Sequence, residues 1–259
     1  MKLTFLGTGT SQGVPVITCT CDVCRSTDPR DKRLRTSAFL RIPQGPDILF
    51  DIGPDFRAQM LANGISHIDA ILLTHAHRDH ISGIDDIRPF NWTQHGKLDL
   101  YANAPALATF HHDYHYIFEP HIYPGLPEVE THDVSDAAPF AIGKALVTPV
   151  RGLHKDLPVL GFRVDDGASR MVYITDMNHL PDDELPKLQN LDVLVINALR
   201  QKPHFSHFCL PEALEVIQRV NPREAYITHL SHEMGLHNDV DSSLPPHIHI
   251  AYDNLSINF

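Results

Sequence analysis

The chain has 259 residues, with 21 Lys and Arg against 32 Asp and Glu, a net charge of −11 and 42% hydrophobic residues. That length is ample for a sizeable core, the composition excludes bulk disorder, and the acidic balance argues against gripping nucleic acid or anionic membrane through a basic face. Histidine is the outlier: 19 of them, beside 4 cysteines, raise a metal expectation before any motif is read.

Taken in chain order, the first apolar run, residues 3–6, is too short for a signal-peptide core. No later run approaches the roughly 18 apolar residues of a membrane helix, so a cytoplasmic, reducing location is expected. In such a compartment clustered cysteines bind metal more often than they pair. Gly7, Gly9 and Gly13 are spaced Gly-x-Gly-x-x-x-Gly with no helical pattern after them, which predicts a tight turn rather than a dinucleotide loop. Cys19, Cys21 and Cys24 follow as Cys-x-Cys-x-x-Cys. Three thiolates need a fourth ligand to close a tetrahedral structural zinc site, and none stands nearby.

Strands are predicted at 38–42, 48–50, 68–73, 98–101, 145–150, 159–164, 171–174, 191–196, 225–227, 248–252 and 255–257, besides 3–6. Each is a short apolar run bounded by Gly, Pro, Asp or Asn, and several are continuous, as in strands buried on both faces. Helices are predicted at 56–61, across Ile81, Ile84 and Ile87 after Asp79, at 105–118, and from Pro211 to a stop at Asn221-Pro222. The sum is an α/β layer protein in one domain, 1–259, with a cysteine loop at 19–24. Residues 102–145, with His and Tyr crowded between prolines, read as a long loop, either a lid or an interface.

The chemistry concentrates after the strand at 68–73, where Thr74 leads into His75-Ala-His77-Arg-Asp79-His80. Three imidazoles and a carboxylate in one tight turn would each need a partner if buried, and a metal supplies it.

His-x-His-x-Asp-His after an apolar strand resembles the signature of the metallo-β-lactamase superfamily, and its other marks follow in order. Asp51 ends an early strand, His154 and Asp176 end later ones, and His229 ends the strand at 225–227. The resemblance implies an αβ/βα sandwich, two mixed sheets flanked by helices, with two divalent metal ions in the active site. It implies His75, His77 and His154 on one ion, Asp79, His80 and His229 on the other, and Asp176 bridging, with Asp51 orienting ligands. His/Asp ligation suits Zn, Mn or Fe, so the ion stays open.

The cysteine motif, the opening 6–15 and the closing 251–255 are similar to the PhnP-like branch, cyclic-phosphate phosphodiesterases. That branch implies His232 as the fourth ligand of a structural Zn held by Cys19, Cys21 and Cys24, and His207 as proton donor to the leaving group, with His204 a weaker candidate. Cys209 is left over as a small core residue. The implied activity is hydrolysis of a small phosphodiester, a cyclic one included, by a dinuclear-metal hydroxide held with the help of Asp79, with no extended nucleic acid and no membrane as partner. Members of this branch often pair as dimers, so the resemblance also implies a homodimer as a partner state. Competing readings are a tRNA 3′-processing nuclease, a PqqB-like protein of cofactor biosynthesis, and a non-catalytic metal-stabilised binding module. The complete ligand set favours hydrolysis.

Overall fold

A computed structural model describes residues 1–119 and 125–259 of the chain. Among these residues two seven-stranded sheets form. The first holds β1 (Lys2–Gly7), β2 (Ser37–Arg41), β3 (Asp47–Phe50), β4 (Ala70–Leu72), β5 (Leu98–Ala102) and β6 (Val129–Asp133). The second holds β7 (Phe140–Ile142), β8 (Ala145–His154), β9 (Leu157–Asp165), β10 (Arg170–Tyr173), β11 (Val193–Asn197), β12 (Glu224–Thr228) and β13 (Ile248–Ile250). The last strand, β14 (Ser256–Asn258), returns to pair with β1. Both sheets are mixed. β3 to β6 run parallel, as do β10 to β13, and the remaining pairs are antiparallel.

The period-2 alternation of each inner strand assigns its two faces. Ile48 and Phe50 of β3 point into a core between the sheets, together with Tyr173 of β10 and Val193 and Val195 of β11. Leu49 points the other way, into a second core built with Phe56, Met60 and Phe90. Leu194 and Ile196 of β11 likewise face Ala213, Val216 and Ile217. Helices therefore cover both outer faces of the sheet pair, which is the αβ/βα sandwich. Strands apolar on both faces read as continuous runs, and all twelve predicted ones are present.

The helices are α1 (Asp22–Arg25), α2 (Phe56–Asn63), α3 (Arg78–Ile81), α4 (Arg88–Gln94), α5 (Ala104–Asp113), α6 (Leu210–Val220) and α7 (His237–Asp241). In α6 the sequence signals are obeyed at both ends. Pro211 sits in the first turn, the Glu212 carboxylate accepts from the Cys209 N–H at 2.8 Å, and Asn221 closes the helix in the left-handed region. Cys209 is buried there, as expected of a core residue. None of the described helices is long and apolar enough to cross a membrane.

Two expectations are corrected. The helix read across Ile81, Ile84 and Ile87 is three pieces: α3, a 3₁₀ turn at Ile84–Ile87, and α4. A spacing of three is the 3₁₀ period, and Gly83 breaks the chain between the pieces. A Cβ on Gly83 would lie 2.3 Å from the Gly53 carbonyl oxygen and 2.6 Å from Phe56 Cβ. The stretch 102–145 is not a bare loop either. It contains α5, a 3₁₀ turn at His115–Ile117, and the sheet-edge strands β6 and β7. Those strands escaped the pattern because one is polar at four of its five positions, Val-Glu-Thr-His-Asp, and the other has three residues. Pro120, His121, Tyr123 and Pro124 of this stretch lie outside the described residues.

Candidate metal centre

The two sheets bring their strand ends to one place. Asp51 follows β3, His75 follows β4, Asp176 follows β10 and His229 follows β12, each at a carboxyl end where parallel sheets present ligands. His154 is the last residue of β8. Beneath them Phe50 stacks on Tyr173 across the sheet interface, with ring centroids 4.6 Å apart. The Leu160 N–H also donates to the Thr74 carbonyl at 3.0 Å, tying β9 to the start of the histidine motif.

Three of these residues sit at positive φ: Asp51 at 58°, Asp176 at 56° and His229 at 58°. For a residue with a Cβ the left-handed region costs on the order of 1–2 kcal/mol. Paying it three times at strand ends that converge on one cluster is the mark of backbone bent to aim side chains.

The cluster is buried and short of hydrogen-bond partners. Asp51, His75, His80, Asp176 and His229 are each at most 2% exposed. Asp79, His80, Asp176 and His229 offer ligand atoms that all lie within 4.8 Å of one another. His80 Nε2 is 3.2 Å from a carboxylate oxygen of both Asp79 and Asp176, yet forms no hydrogen bond, and the buried His75 Nε2 has no partner either. Meanwhile the other ring nitrogen of each is held. His80 Nδ1 donates to Asp51 Oδ2 at 2.7 Å, His154 Nδ1 donates to the Ser206 carbonyl at 2.7 Å, and His75 Nδ1 meets Thr74 Oγ1 at 3.1 Å. Imidazoles fixed at Nδ1 and orphaned at a buried Nε2 are what a resident cation requires, so the donor set fits the divalent ions the fold implies.

The rings of the first implied set also converge. His75 and His77 centroids are 4.5 Å apart, and His77 and His154 are 5.0 Å apart. His77 is exposed at the start of α3. His207 takes a place that spacing did not reveal. Its Nε2 is 3.0 Å from Asp176 Oδ1, and with His154 and Asp176 it forms another group of ligand atoms within 4.8 Å. His204 Nδ1 lies 3.3 Å from His207 Nδ1, which also faces Ser206 Oγ at 3.1 Å.

Electrostatics prepares the ligands unequally. Burial drives His75 well below its usual pKa and His229 down to about 3, so both are neutral. Burial pushes the same way on His80 but is outweighed by Asp79, Asp51 and Asp176, which raise it well above its usual value. Burial would lift Asp79 and Asp176, and the neighbouring imidazoles hold both below the carboxylate range instead.

A separate cluster gathers on the N-terminal loop. The thiols of Cys19, Cys21 and Cys24 lie 3.2, 3.3 and 3.6 Å from His232 Nδ1. All four ligand atoms fall within 4.8 Å of one another. The Cys24 backbone N–H and His232 lower the Cys21 thiol to about 6, whereas burial pushes Cys24 up to about 11. Between this loop and Asp79 lies a cavity of about 460 Å³, walled by Gln12, Val16, Ile17, Arg35 and Arg78. Ile17 stands 87% exposed at its mouth.

Sequence reasoning missed the residues that hold the ligands from afar. Thr36 Oγ1 lies 3.1 Å from His229 Nδ1, and Ser206 serves both His154 and His207. Asn197 brackets the turn after Asp176 by bonding both the N–H and the carbonyl of Met177. Only Thr74, adjacent to the motif, carried a local signal.

A family description, the beta-lactamase superfamily domain, matches residues 47–230. The chain is 41% identical over 256 residues to the octanoyltransferase of Porphyromonas gingivalis, covering 98% of this chain and 51% of that protein. It thus spans about half the length of that relative. Among solved structures, one described as a new diphosphatase from the PhnP family matches with a TM-score of 0.91 at 37% identity, over 100% of this chain and 96% of that one. Zn²⁺-bound PqqB from Methylobacterium extorquens shares the fold, with a TM-score of 0.79 at 17% identity over 100% of both chains.

Proposed function

The chain belongs to the metallo-β-lactamase superfamily, and from that premise we propose that it is a metal-dependent hydrolase acting on a small phosphodiester. The observation that carries the reading is the cluster of Asp79, His80, Asp176 and His229, whose ligand atoms all lie within 4.8 Å of one another, beside the buried and unpartnered Nε2 of His75. In this reading His75, His77 and His154 would hold one ion and Asp79, His80 and His229 the other, with Asp176 available to both. Bound there, two divalent cations, Zn or Mn, would supply Lewis-acid charge to the phosphoryl centre and acidify the attacking water.

The chain's own residues supply the rest. Asp51, Thr74 and the Ser206 carbonyl fix ring orientation, so the nitrogen facing the substrate is set before it arrives. His207, buried beside Asp176, is the proposed proton donor to the departing oxygen. Its Nε2 faces the cluster, while Nδ1 can exchange its proton with Ser206 Oγ or His204. The cavity of about 460 Å³ beside Asp79 has room for one substituent of the diester. A structural zinc closing the cysteine loop on His232 would position Val16 and Ile17, which line that cavity just before the loop.

Hydrolysis of a diphosphate is a second reading, favoured by the 37% identity to a protein described as a PhnP-family diphosphatase. Both substrates present the same phosphoryl centre. The octanoyltransferase name belongs to a protein about twice as long, and no activity is taken from it. The test is a substrate panel with metal-loaded protein: bis(p-nitrophenyl) phosphate, a 2′,3′-cyclic nucleotide and a diphosphate ester. Turnover of a diester that Asp79→Ala abolishes supports the reading. Turnover of the diphosphate alone selects the second one, and an active Asp79→Ala protein overturns the assigned role of Asp79.

A further inference from the structure

We propose that the His/Tyr-rich stretch, through Asp113, Tyr114 and Tyr116, is a clamp that holds α3 and thereby sets the positions of Asp79 and His80. The inference rests on the metal-binding reading above and extends it to residues that touch no ligand.

The need for a clamp follows from length. α3 has four residues, and isolated helices shorter than about 12 residues are not stable in water. Its place must therefore be imposed by its surroundings. One set of restraints comes from the loop after β3: the Ile52 N–H donates to the His80 carbonyl at 2.8 Å, and the Gly83 N–H donates to the Ile52 carbonyl at 2.9 Å. A second set comes from the end of α5 and the turn after it. Asp113 pairs with the Arg78 guanidinium at 3.1 Å, at the first residue of α3. The Tyr114 hydroxyl donates to the Ile81 carbonyl at 3.2 Å, at its last residue. The Tyr116 hydroxyl donates to Asp85 at 2.9 Å, in the 3₁₀ turn that follows.

These three contacts are not equal. Arg78 is largely exposed, so its ion pair contributes little. The Tyr114 bond is buried and satisfies a last-turn carbonyl that the helix itself leaves without a partner. Tyr114 is in turn anchored on Phe110, whose fully buried ring lies 5.3 Å away. The clamp thus runs from the helical core, through Tyr114, to the turn that presents two metal ligands. The histidines of the stretch do not join it: His111 Nε2 bonds Thr131, and His115 Nδ1 bonds the His112 carbonyl.

The experiment compares wild type, Tyr114→Phe, and the double variant Asp113→Asn with Tyr116→Phe. Metal-free protein is titrated with cobalt against a chelator. Thiolate charge-transfer bands report the cysteine site separately from the His/Asp site. Thermal unfolding of the metal-free proteins is recorded alongside. The clamp predicts that Tyr114→Phe weakens the His/Asp site about tenfold while the cysteine site keeps its affinity. It predicts a smaller loss for the double variant. Equal His/Asp affinity in all three proteins overturns it, as does a drop in melting temperature with affinity preserved, since that is a purely structural effect. A wild type that takes up cobalt at the cysteines alone removes the metal-binding reading and the clamp with it.

Discussion

Asp51→Asn separates a ligand-orienting role from a structural one. The Asp51 carboxylate is completely buried and accepts from three donors, one of them shared between its two oxygens. They are the Thr74 N–H at 2.8 Å, Thr74 Oγ1 at 3.0 and 2.9 Å, and His80 Nδ1 at 2.7 Å. Asparagine keeps one oxygen for the Thr74 N–H but turns an NH₂ toward His80. For Nε2 to bind a cation the His80 proton must stay on Nδ1, where it now opposes a donor. A buried donor without an acceptor costs about 1–3 kcal/mol, which is roughly a 5- to 150-fold loss of affinity. That agrees with the 10- to 100-fold typical when such an orienting partner is lost, about 1.4–2.8 kcal/mol. Asp51→Ala strands three buried donors and should cost about 3 kcal/mol or more of a fold stability of order 5–15 kcal/mol. Zinc competition with a chromophoric chelator reads the first effect and denaturant unfolding of metal-free protein reads the second. An Asp51→Asn protein with wild-type zinc affinity would refute the argument that Asp51 fixes the His80 tautomer.

Three further outcomes are expected. Gly53→Ala places a Cβ 2.1 Å from the Asp79 carbonyl oxygen. It should lower the melting temperature and empty the His/Asp site while the cysteine site retains zinc, and elemental analysis showing full occupancy would contradict it. Cys21→Ser should lose zinc from the cysteine loop and raise KM or lower stability, since Val16 and Ile17, just before that loop, line the cavity beside Asp79. Unchanged zinc content and stability would rule the site out. Metal uptake should also strengthen as pH rises. His75 and His229 are already neutral and Asp79 and Asp176 already ionised. His80, held protonated by its carboxylate neighbours, must give up a proton. Affinity should therefore climb by up to about tenfold per pH unit until the raised His80 pKa is passed. Calorimetry in buffers of different ionisation heat should show about one proton released as the ion on Asp79, His80 and His229 binds, and pH-independent binding there would contradict it.

What could be read in the sequence was what is encoded locally. His75, His77, Asp79 and His80 fall within six residues, and inner strands such as β3 and β11 announce themselves because both of their faces are buried. The edge strands β6 and β7 bury too little to leave such a run. The break between Ile81 and Ile84 depends on how closely Gly83 approaches Gly53, thirty positions earlier. The ligand-holding contacts were hidden for the same reason. Thr36 meets His229 across 193 residues, Ser206 meets His154 across 52, and His207 meets Asp176 across 31. Nothing within a few residues of Thr36 or Ser206 marks them. The stretch at 102–145 is the clearest case: its histidines drew attention, yet Asp113, Tyr114 and Tyr116 are the side chains that reach the motif helix.

The proposed function stands or falls on whether the His/Asp cluster, once loaded with metal, hydrolyses a phosphodiester. The direct measurement is a titration of metal-free protein with Zn or Mn while hydrolysis of bis(p-nitrophenyl) phosphate is followed. Turnover should appear as the His/Asp site fills and disappear when a chelator empties it. Metal-free protein that turns over as fast, or fully loaded protein inert toward every phosphodiester, would contradict it.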